Sequence, residues 1–450
     1  MALAEVFQGL GTSQGYLTAV SVILGLFAAY LYVAGRYLPE GAPPLVKGDW
    51  PLIGPTDFWT RRWDFFKEAT KASVNGNFTF HVGKHVVVGV SGDDARRAFM
   101  EKEIDGQGFS RRLLAMLKKE NFVKGLQDLI NDTRTRLDEL VKDPSGITDP
   151  FESIYGIVYQ LTMRTVACNE IANDRALLDQ TLDMFEKIEA SSSAKLIIFP
   201  WFPFPGKLRR LWYGGKLYMI FKGIIEDRAK TGRREEDPLQ FLIDKGDNVK
   251  EILTFVLGAL YAGQLNSGIN AAWVIIYLAN DHYWRGKVWE EVKAVAEKYD
   301  SDTSKSIADR LASAPLEAWE NELPTIDLCL RDSIRLNASG SMFRKNETNK
   351  AVKVSDGTEI PPGAFAAYPM ADVHLNPDVY PDPEKWDPSR YLPEKAEDHK
   401  TKYGFIGWGA GRHPCLGMRF AKLEQNIILA FFLANFDFAL SDKHGNKIEG

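Results

Sequence analysis

The sequence predicts a mainly α fold with a small β subdomain, tethered by one N-terminal transmembrane helix. Three observations predict it: an uncharged apolar stretch near the start, a long succession of helical-period segments, and only two short β-rich regions.

Tyr16 to Ala34 carries no charge. As a helix it extends about 28 Å, close to the thickness of a bilayer core. The segment before it holds only Glu5, and the first cation, Arg36, comes afterwards, which is the pattern of an anchor rather than a cleaved signal. With Lys47 also following the span, the positive-inside tendency turns the body of the protein to the cytosol. The expected location is the endoplasmic reticulum membrane, single-pass. Prolines at 39, 43, 44, 51 and 55 favour extended backbone. Residues 1-35 therefore read as anchor, 36-55 as a stiff linker and 56-450 as the folded domain.

Phe78 to Val90 is β-rich on both sides of Gly83-Lys84, which predicts a hairpin, and Asp93-Asp94 suits the start of a helix. Helical periodicity then runs through Arg111 to Leu140, Asp149 to Cys168, Asp174 to Ile188, Leu208 to Arg228, Val249 to Leu278, Tyr283 to Tyr299, Leu316 to Leu336 and Gly417 to Ala434. Strand signals return near Lys353 to Gly363, where Asp356-Gly357 suits a tight turn.

Composition narrows the function. A net charge of −5 with dispersed cations gives no basic stripe for nucleic acid. The three cysteines, Cys168, Cys329 and Cys415, form no CxxC pair, so neither a disulfide framework nor a zinc cluster is indicated.

The informative segment is Phe405 to Gly417, FIGWGAGRHPCLG, where three glycines and a proline precede one cysteine and an apolar helix follows at once. Free N–H groups at a helix start lower a thiol pKa, and thiolate is the form that binds metal. Gly409 and Gly411 let the backbone fold tightly against a flat ligand, while Arg412 and His413 offer charge to acidic groups on it. A lone cysteine is more often a buried structural residue, but the surrounding spacing reverses that reading.

WGAGRHPCLG, Trp408 to Gly417, resembles the haem-ligand loop of the cytochrome P-450 family, FxxGxxxCxG. Asp332-Ser-Ile-Arg335 resembles that family's ExxR pair, and PDPEKWDPSRYL, Pro381 to Leu392, resembles the meander after it. YAGQLNSG, Tyr261 to Gly268, and IPPG, Ile360 to Gly363, fall in the matching order, so the resemblance covers residues 36 to 440. It implies the cytochrome P-450 fold and a haem, iron protoporphyrin IX, with Cys415 as axial ligand of the iron. It also implies propionate-binding positions at Arg344 and His413, and a structural triad of Asp332, Arg335 and Arg390. Trp408 stands where the family has Phe beside the thiolate, adding an N–H near the sulfur. Asp332 stands where the family has Glu, shorter by roughly 1.5 Å, which implies a looser network.

The oxygen-activating helix departs further, with Leu265 and Asn266 in place of the usual acid or polar residue and Thr. Proton handling at the catalytic site then falls to Gln264, Asn266, Ser267, ordered water or the substrate. Asn at this position resembles both sterol 7-hydroxylases and the peroxide-rearranging prostacyclin and allene oxide synthases; the AGQxxS context resembles lanosterol demethylases. The resemblance favours a monooxygenase that oxidises a lipophilic small molecule with O2: a sterol, terpenoid, fatty acid or secondary-metabolite intermediate. The alternatives are a reductase-independent peroxide isomerase or dehydratase, and a non-enzymatic haem-binding remnant.

No GxGxxG or flavin motif is present, so the implied electron donor is a separate NADPH-cytochrome P-450 reductase, with cytochrome b5 as a second. Lys395, Lys400, Lys402, Arg412, Arg419 and Lys422 are candidate docking cations. FPWFPFP, Phe199 to Pro205, corresponds to the loop that rests on the membrane in anchored relatives. Against the family pattern, the interval between Asp105 and the helix from Arg111 is short, and the chain ends at Gly450 without the terminal strands that close the substrate pocket.

Overall fold

The computed structural model describes residues 13–34, 38–50, 53–101, 110–338 and 340–448. Arg36, linker residues 51–52, the interval after Asp105 and the last two residues lie outside them. The chain forms two compact units: Met1–Gly106, Ser193–Phe202 and Gly340–Asp372 in one, and Gln107–Ser192, Pro203–Ser339 and Val373–Gly450 in the other.

The smaller unit begins with helix α1, Ser13–Ala34, about 33 Å long at 1.5 Å per residue. Leu17, Val20, Ile23, Leu24, Phe27 and Tyr30 are all exposed along it. The predicted hairpin is β1, Phe78–Val82, and β2, His85–Gly89, with Gly83 at φ +60° in the turn. Two further strands, β3 (Ser341–Lys345) and β6 (Phe365–Pro369), complete a sheet of order β1-β2-β6-β3, with β2 and β6 parallel. The hairpin of β4, Val352–Ser355, and β5, Thr358–Ile360, turns at Asp356-Gly357 as the sequence predicts. Phe58, Phe65, Phe66, Phe78 and Phe80 fill the core under the sheet.

The proline-rich linker is part of this unit. Val46 N–H donates to Thr79 O at 2.9 Å, and Thr79 N–H to Pro44 O at 2.9 Å, so the linker runs parallel to β1. Asp49 is buried against His81, 2.6 Å from its Nδ1. Prolines lack donors, and here the linker's non-proline residues and the proline carbonyls make the bonds.

The larger unit is helical. Its long helices are α2 (Lys119–Val141), α3 (Pro150–Val166), α4 (Arg175–Glu189), α5 (Pro205–Thr231), α6 (Val249–Asn280), α7 (His282–Tyr299), α8 (Pro324–Asn337) and α9 (Met418–Asn435). A capping box starts α6: the Asn248 side chain accepts from Glu251 N–H, and the Glu251 carboxylate accepts from Asn248 N–H. One apolar cluster joins α2, α3, α7, α8 and α9 around Trp319 and Phe431; a second joins α4, α5 and α6 around Phe185 and Phe221.

Two predicted helices are each broken in two. The helix read from Arg111 to Leu140 is Ser110–Met116 followed by α2, and the one from Leu316 to Leu336 is Leu316–Asn321 followed by α8. In the second case Pro324 is the cause. It cannot donate inside a helix, so it opens a new one.

Candidate active site

Cys415 lies at the foot of a two-residue hairpin, β7 (Gly409–Ala410) against β8 (His413–Pro414). Cys415 N–H donates to Trp408 O at 2.6 Å, and Met418 N–H to Cys415 O at 3.3 Å, which joins the turn to the start of α9. Gly409 adopts φ +68°, and a Cβ there would meet His413 O at 2.2 Å. Gly411 is also left-handed, at φ +59°. Such a turn closes only with glycine.

Cys415 is exposed while Cys168 and Cys329 are buried. Burial pushes the Cys168 thiol up to about 12 and the Cys329 thiol well up too, which makes both poor ligands. The expected lowering at Cys415 is corrected. Protein atoms crowded behind the sulfur push that thiol up as well, while hydrogen bonds from Gly417 and Met418 N–H pull it down. The first effect exceeds the second, and a bound metal ion would favour the thiolate.

No group of three or more His, Cys, Asp or Glu ligands is found among the described residues. One exposed sulfur suits an iron already held by the four nitrogens of a macrocycle. The buried Trp408 Nε1 has no hydrogen-bond partner among the described residues, and glycines 409 and 411 leave no side chain over the turn. These features fit a haem seated against the loop.

The turn is braced from behind by a buried network. Asp332 and Arg335, one turn apart on α8, are fully buried and 2.6 Å apart. The Asp332 carboxylate also accepts from Asp387 N–H at 2.6 Å and Tyr391 O–H at 3.1 Å. Arg390 Nε stands at 3.9 Å from Asp332; its other nitrogens donate to Glu397 and to the carbonyls of Pro381, Asp382 and Lys385. The third triad member thus spans the meander and only grazes the carboxylate. Arg335 also donates to His374 O at 2.9 Å, and His374 Nε2 accepts from Ile406 N–H at 3.0 Å. Asp332 is in this way connected to the segment entering the cysteine turn.

His374 and Tyr391 escaped the sequence reading. A lone His in ADVHLNP and a Tyr two residues before a proline carry no spacing signal.

The three residues expected at the catalytic site do not lie together. Asn266 is exposed, its Nδ2 donating to Ala262 O at 2.8 Å, and Ala262 and Ile269 share its open face. Gln264 and Ser267 are buried on other faces of α6. Gln264 donates to Tyr155 O on α3, and Ser267 O accepts from Gln425 on α9 at 2.8 Å. A mostly buried helix that exposes Ala262, Asn266 and Ile269 borders an opening on that side.

Beside Ser267 is a polar residue that no motif indicated. Glu424 on α9 is 1% exposed, with the Ser267 side chain beside it. Burial pushes its carboxyl up to about 8. It is neutral at pH 7 while folded and ionised when unfolded, so its stabilisation is complete below the ordinary carboxyl range and is lost as pH rises toward 8. Glu424→Gln is always neutral and is expected to escape this loss, worth about 3 kcal/mol by pH 7. Melting curves from pH 5 to 8 should show variant and parent diverging with pH; parallel curves would contradict the assignment.

Arg344 belongs to the smaller unit, on β3, with its guanidinium 5.4 Å from the centre of the Phe99 ring. His413 is half-buried on β8 and Arg412 is exposed beside it. Three expected docking cations already hold carboxylates: Lys395 with Asp387, Arg419 with Glu320 and Lys422 with Asp327. The Lys400 ammonium donates to Val379 O at 2.8 Å. A cleft of about 1030 Å³ lined by Phe122, Arg164, Glu236 and Phe241 contains none of the expected site residues.

A sequence model of the cytochrome P450 family matches residues 107–449. The chain is 32% identical to cytochrome P450 monooxygenase AacuE of Aspergillus aculeatus, over 96% of this chain and 92% of that one. It is 34% identical to cytochrome P450 monooxygenase dmxR5 of Cryptosporiopsis, over 96% and 90%. Obtusifoliol 14-alpha demethylase of Sorghum bicolor is 27% identical over 69% of this chain and 64% of its own. The solved structure of retinoic acid bound cyanobacterial CYP120A1 superposes with a TM-score of 0.70 at 20% identity, covering 91% of this chain and 94% of that one, and shows the same fold. With its cysteine turn, buried Asp–Arg network and matched relatives, the chain belongs to the cytochrome P450 family and is a haem-binding oxidoreductase of the monooxygenase kind.

Proposed function

We propose that this enzyme oxidises a lipophilic small molecule at the endoplasmic reticulum membrane, with Cys415 as the axial sulfur ligand and NADPH-cytochrome P450 reductase as electron donor. The observation that carries the reading is the exposed Cys415 sulfur on a glycine turn, in a chain whose other two thiols are buried. Bound haem supplies the oxygen-activating chemistry. Cys415 would hold the iron. Arg344, Arg412 and His413 are assigned to the acidic groups of the ring, and Trp408, Gly409 and Gly411 to its seat.

On the open face of α6, Asn266 positions water or a substrate hydroxyl. Its Nδ2 is held by Ala262 O, which leaves Oδ1 to accept a hydrogen bond. Gln264 and Ser267, buried elsewhere on the helix, support its position. Ala262, Asn266 and Ile269 carry neither an acid nor a hydroxyl, an observation that also favours a second reading, rearrangement of a peroxide that brings its own oxygen. The apolar surface of α1 and the exposed Trp201 and Phe202 support membrane seating, and the likeness to a sterol 14-demethylase of Arabidopsis thaliana supports a sterol among the candidate substrates, beside secondary-metabolite intermediates.

Turnover of candidate substrates with reductase and NADPH, set beside conversion of a lipid hydroperoxide alone, separates the two readings. Oxygen-dependent product with reductase is the expected result. Conversion of the hydroperoxide alone, with no oxygen-dependent product, selects the second.

A further inference from the structure

Asn75-Gly76 is the one Asn-Gly step in the chain. It lies in the turn between the short helix Arg62–Ala72 and β1. Asn75 is exposed, as is Val74 before it. Gly76 adopts φ +80°, a conformation that suits glycine, and its N–H has no hydrogen-bond partner among the described residues.

The Asn75 amide is held on both sides. Its Oδ1 accepts from Asn77 N–H at 3.2 Å, and its Nδ2 donates to Thr358 Oγ1 at 3.0 Å and to Asp356 O at 3.3 Å. The first bond folds the side chain over the main chain and closes a ring that contains both Asn75 Cγ and Gly76 N. It also polarises the side-chain carbonyl, as a donor aimed at a developing oxyanion does. The other two bonds tie the turn to the β4–β5 hairpin. Asn77, which is 1% exposed, reinforces that tie by donating to Ser355 Oγ at 3.0 Å and Thr358 Oγ1 at 3.1 Å.

We propose that Asn75 is a self-modification site, converted to aspartate and isoaspartate in the folded protein, and that the conversion loosens the β4–β5 hairpin from the turn. Gly76 N bonds to Asn75 Cγ and gives its proton to water. The Cγ–Nδ2 bond breaks and ammonia leaves, which closes a cyclic imide. Water then opens the imide at either carbonyl. One water is consumed and one ammonia released, with no oxidant or reductant. The product carboxylate has no hydrogen to donate to Asp356 O, and the isoaspartyl form also adds a carbon to the main chain just before Gly76. Water is the sole co-reactant, so the conversion records the age of the molecule and does not depend on the haem chemistry.

The test incubates the full haem-loaded chain at neutral and mildly alkaline pH and follows the peptide containing Asn75 by mass spectrometry. Peptides containing Asn266 and Asn446, both exposed, are the internal comparisons. The Asn75 peptide is expected to gain the mass difference between an amide and a carboxyl before the other two, faster at the higher pH, and to split into two forms, of which isoaspartyl methyltransferase labels one. Asn75→Gln should remove the gain. Asn75→Asp, which fixes one product, should exchange the backbone hydrogens of β4 and β5 about fivefold faster than the parent, as the loss of one net hydrogen bond implies, with the carbonyl spectrum unchanged. No gain at Asn75, a gain there only after unfolding in urea, or an earlier gain at Asn266 or Asn446 would each overturn the modification. Exchange at the parent's rate in Asn75→Asp would overturn its effect on the hairpin.

Discussion

In the Cys415→Ser protein, the reduced carbonyl complex is expected to lose the long-wavelength Soret band of a sulfur-ligated haem, and NADPH-driven turnover to fall to background. The physical cause is electron donation: a hydroxyl does not supply the negative charge that thiolate gives the iron. Because Cys415 is exposed and makes its turn bonds through backbone N–H and C=O, the fold should tolerate the change. Circular dichroism and the melting temperature of the haem-free protein should match the parent. A carbonyl spectrum identical to the parent's would remove Cys415 from the iron. The same exchange at buried Cys168 or Cys329 should leave the band in place.

Asp332→Ala is expected to be the most destabilising single change in the larger unit. Its carboxylate is fully buried and serves Arg335, Asp387 N–H and Tyr391 O–H. Removing it strands a buried guanidinium, which costs about 3–5 kcal/mol. Thermal unfolding should show the loss with or without haem, and haem occupancy should fall because His374 and Ile406 are connected to Arg335. Asp332→Glu restores the charge but adds a methylene to a packed site, for a smaller loss of about 1–3 kcal/mol. If Asp332→Ala melts with the parent, the network is not what holds the meander.

These two sites were legible in the sequence for different reasons. The cysteine turn announces itself because glycines, a proline and a cysteine at fixed offsets have few other uses. The Asp–Arg pair was legible from its helical spacing together with the resemblance. The finer network was not: Asp387 contributes a backbone N–H, and any residue at 387 other than proline has one. Strands β3 and β6 were missed because each has five residues and pairs across long sequence separations, with no turn chemistry to mark it. The hairpins at Gly83-Lys84 and Asp356-Gly357 were found because their pairing is local.

The grouping of Gln264, Asn266 and Ser267 illustrates a different limit. Residues two apart on a helix point about 200° apart, so Gln264 and Asn266 share no face, and periodicity alone separates them. Which face borders the opening is a tertiary fact, set by α3 behind Gln264 and α9 behind Ser267. Pro324 marked its break as plainly as any residue can, yet the apolar pattern continues through it and masks the stop.

Ser267 is fastened to α9 through its carbonyl, which accepts from Gln425 Nε2 at 2.8 Å. The helix that starts beside the sulfur is therefore riveted to the helix that carries Asn266. A change at Gln425 on the one helix is therefore felt at Ser267 on the other, one residue from Asn266.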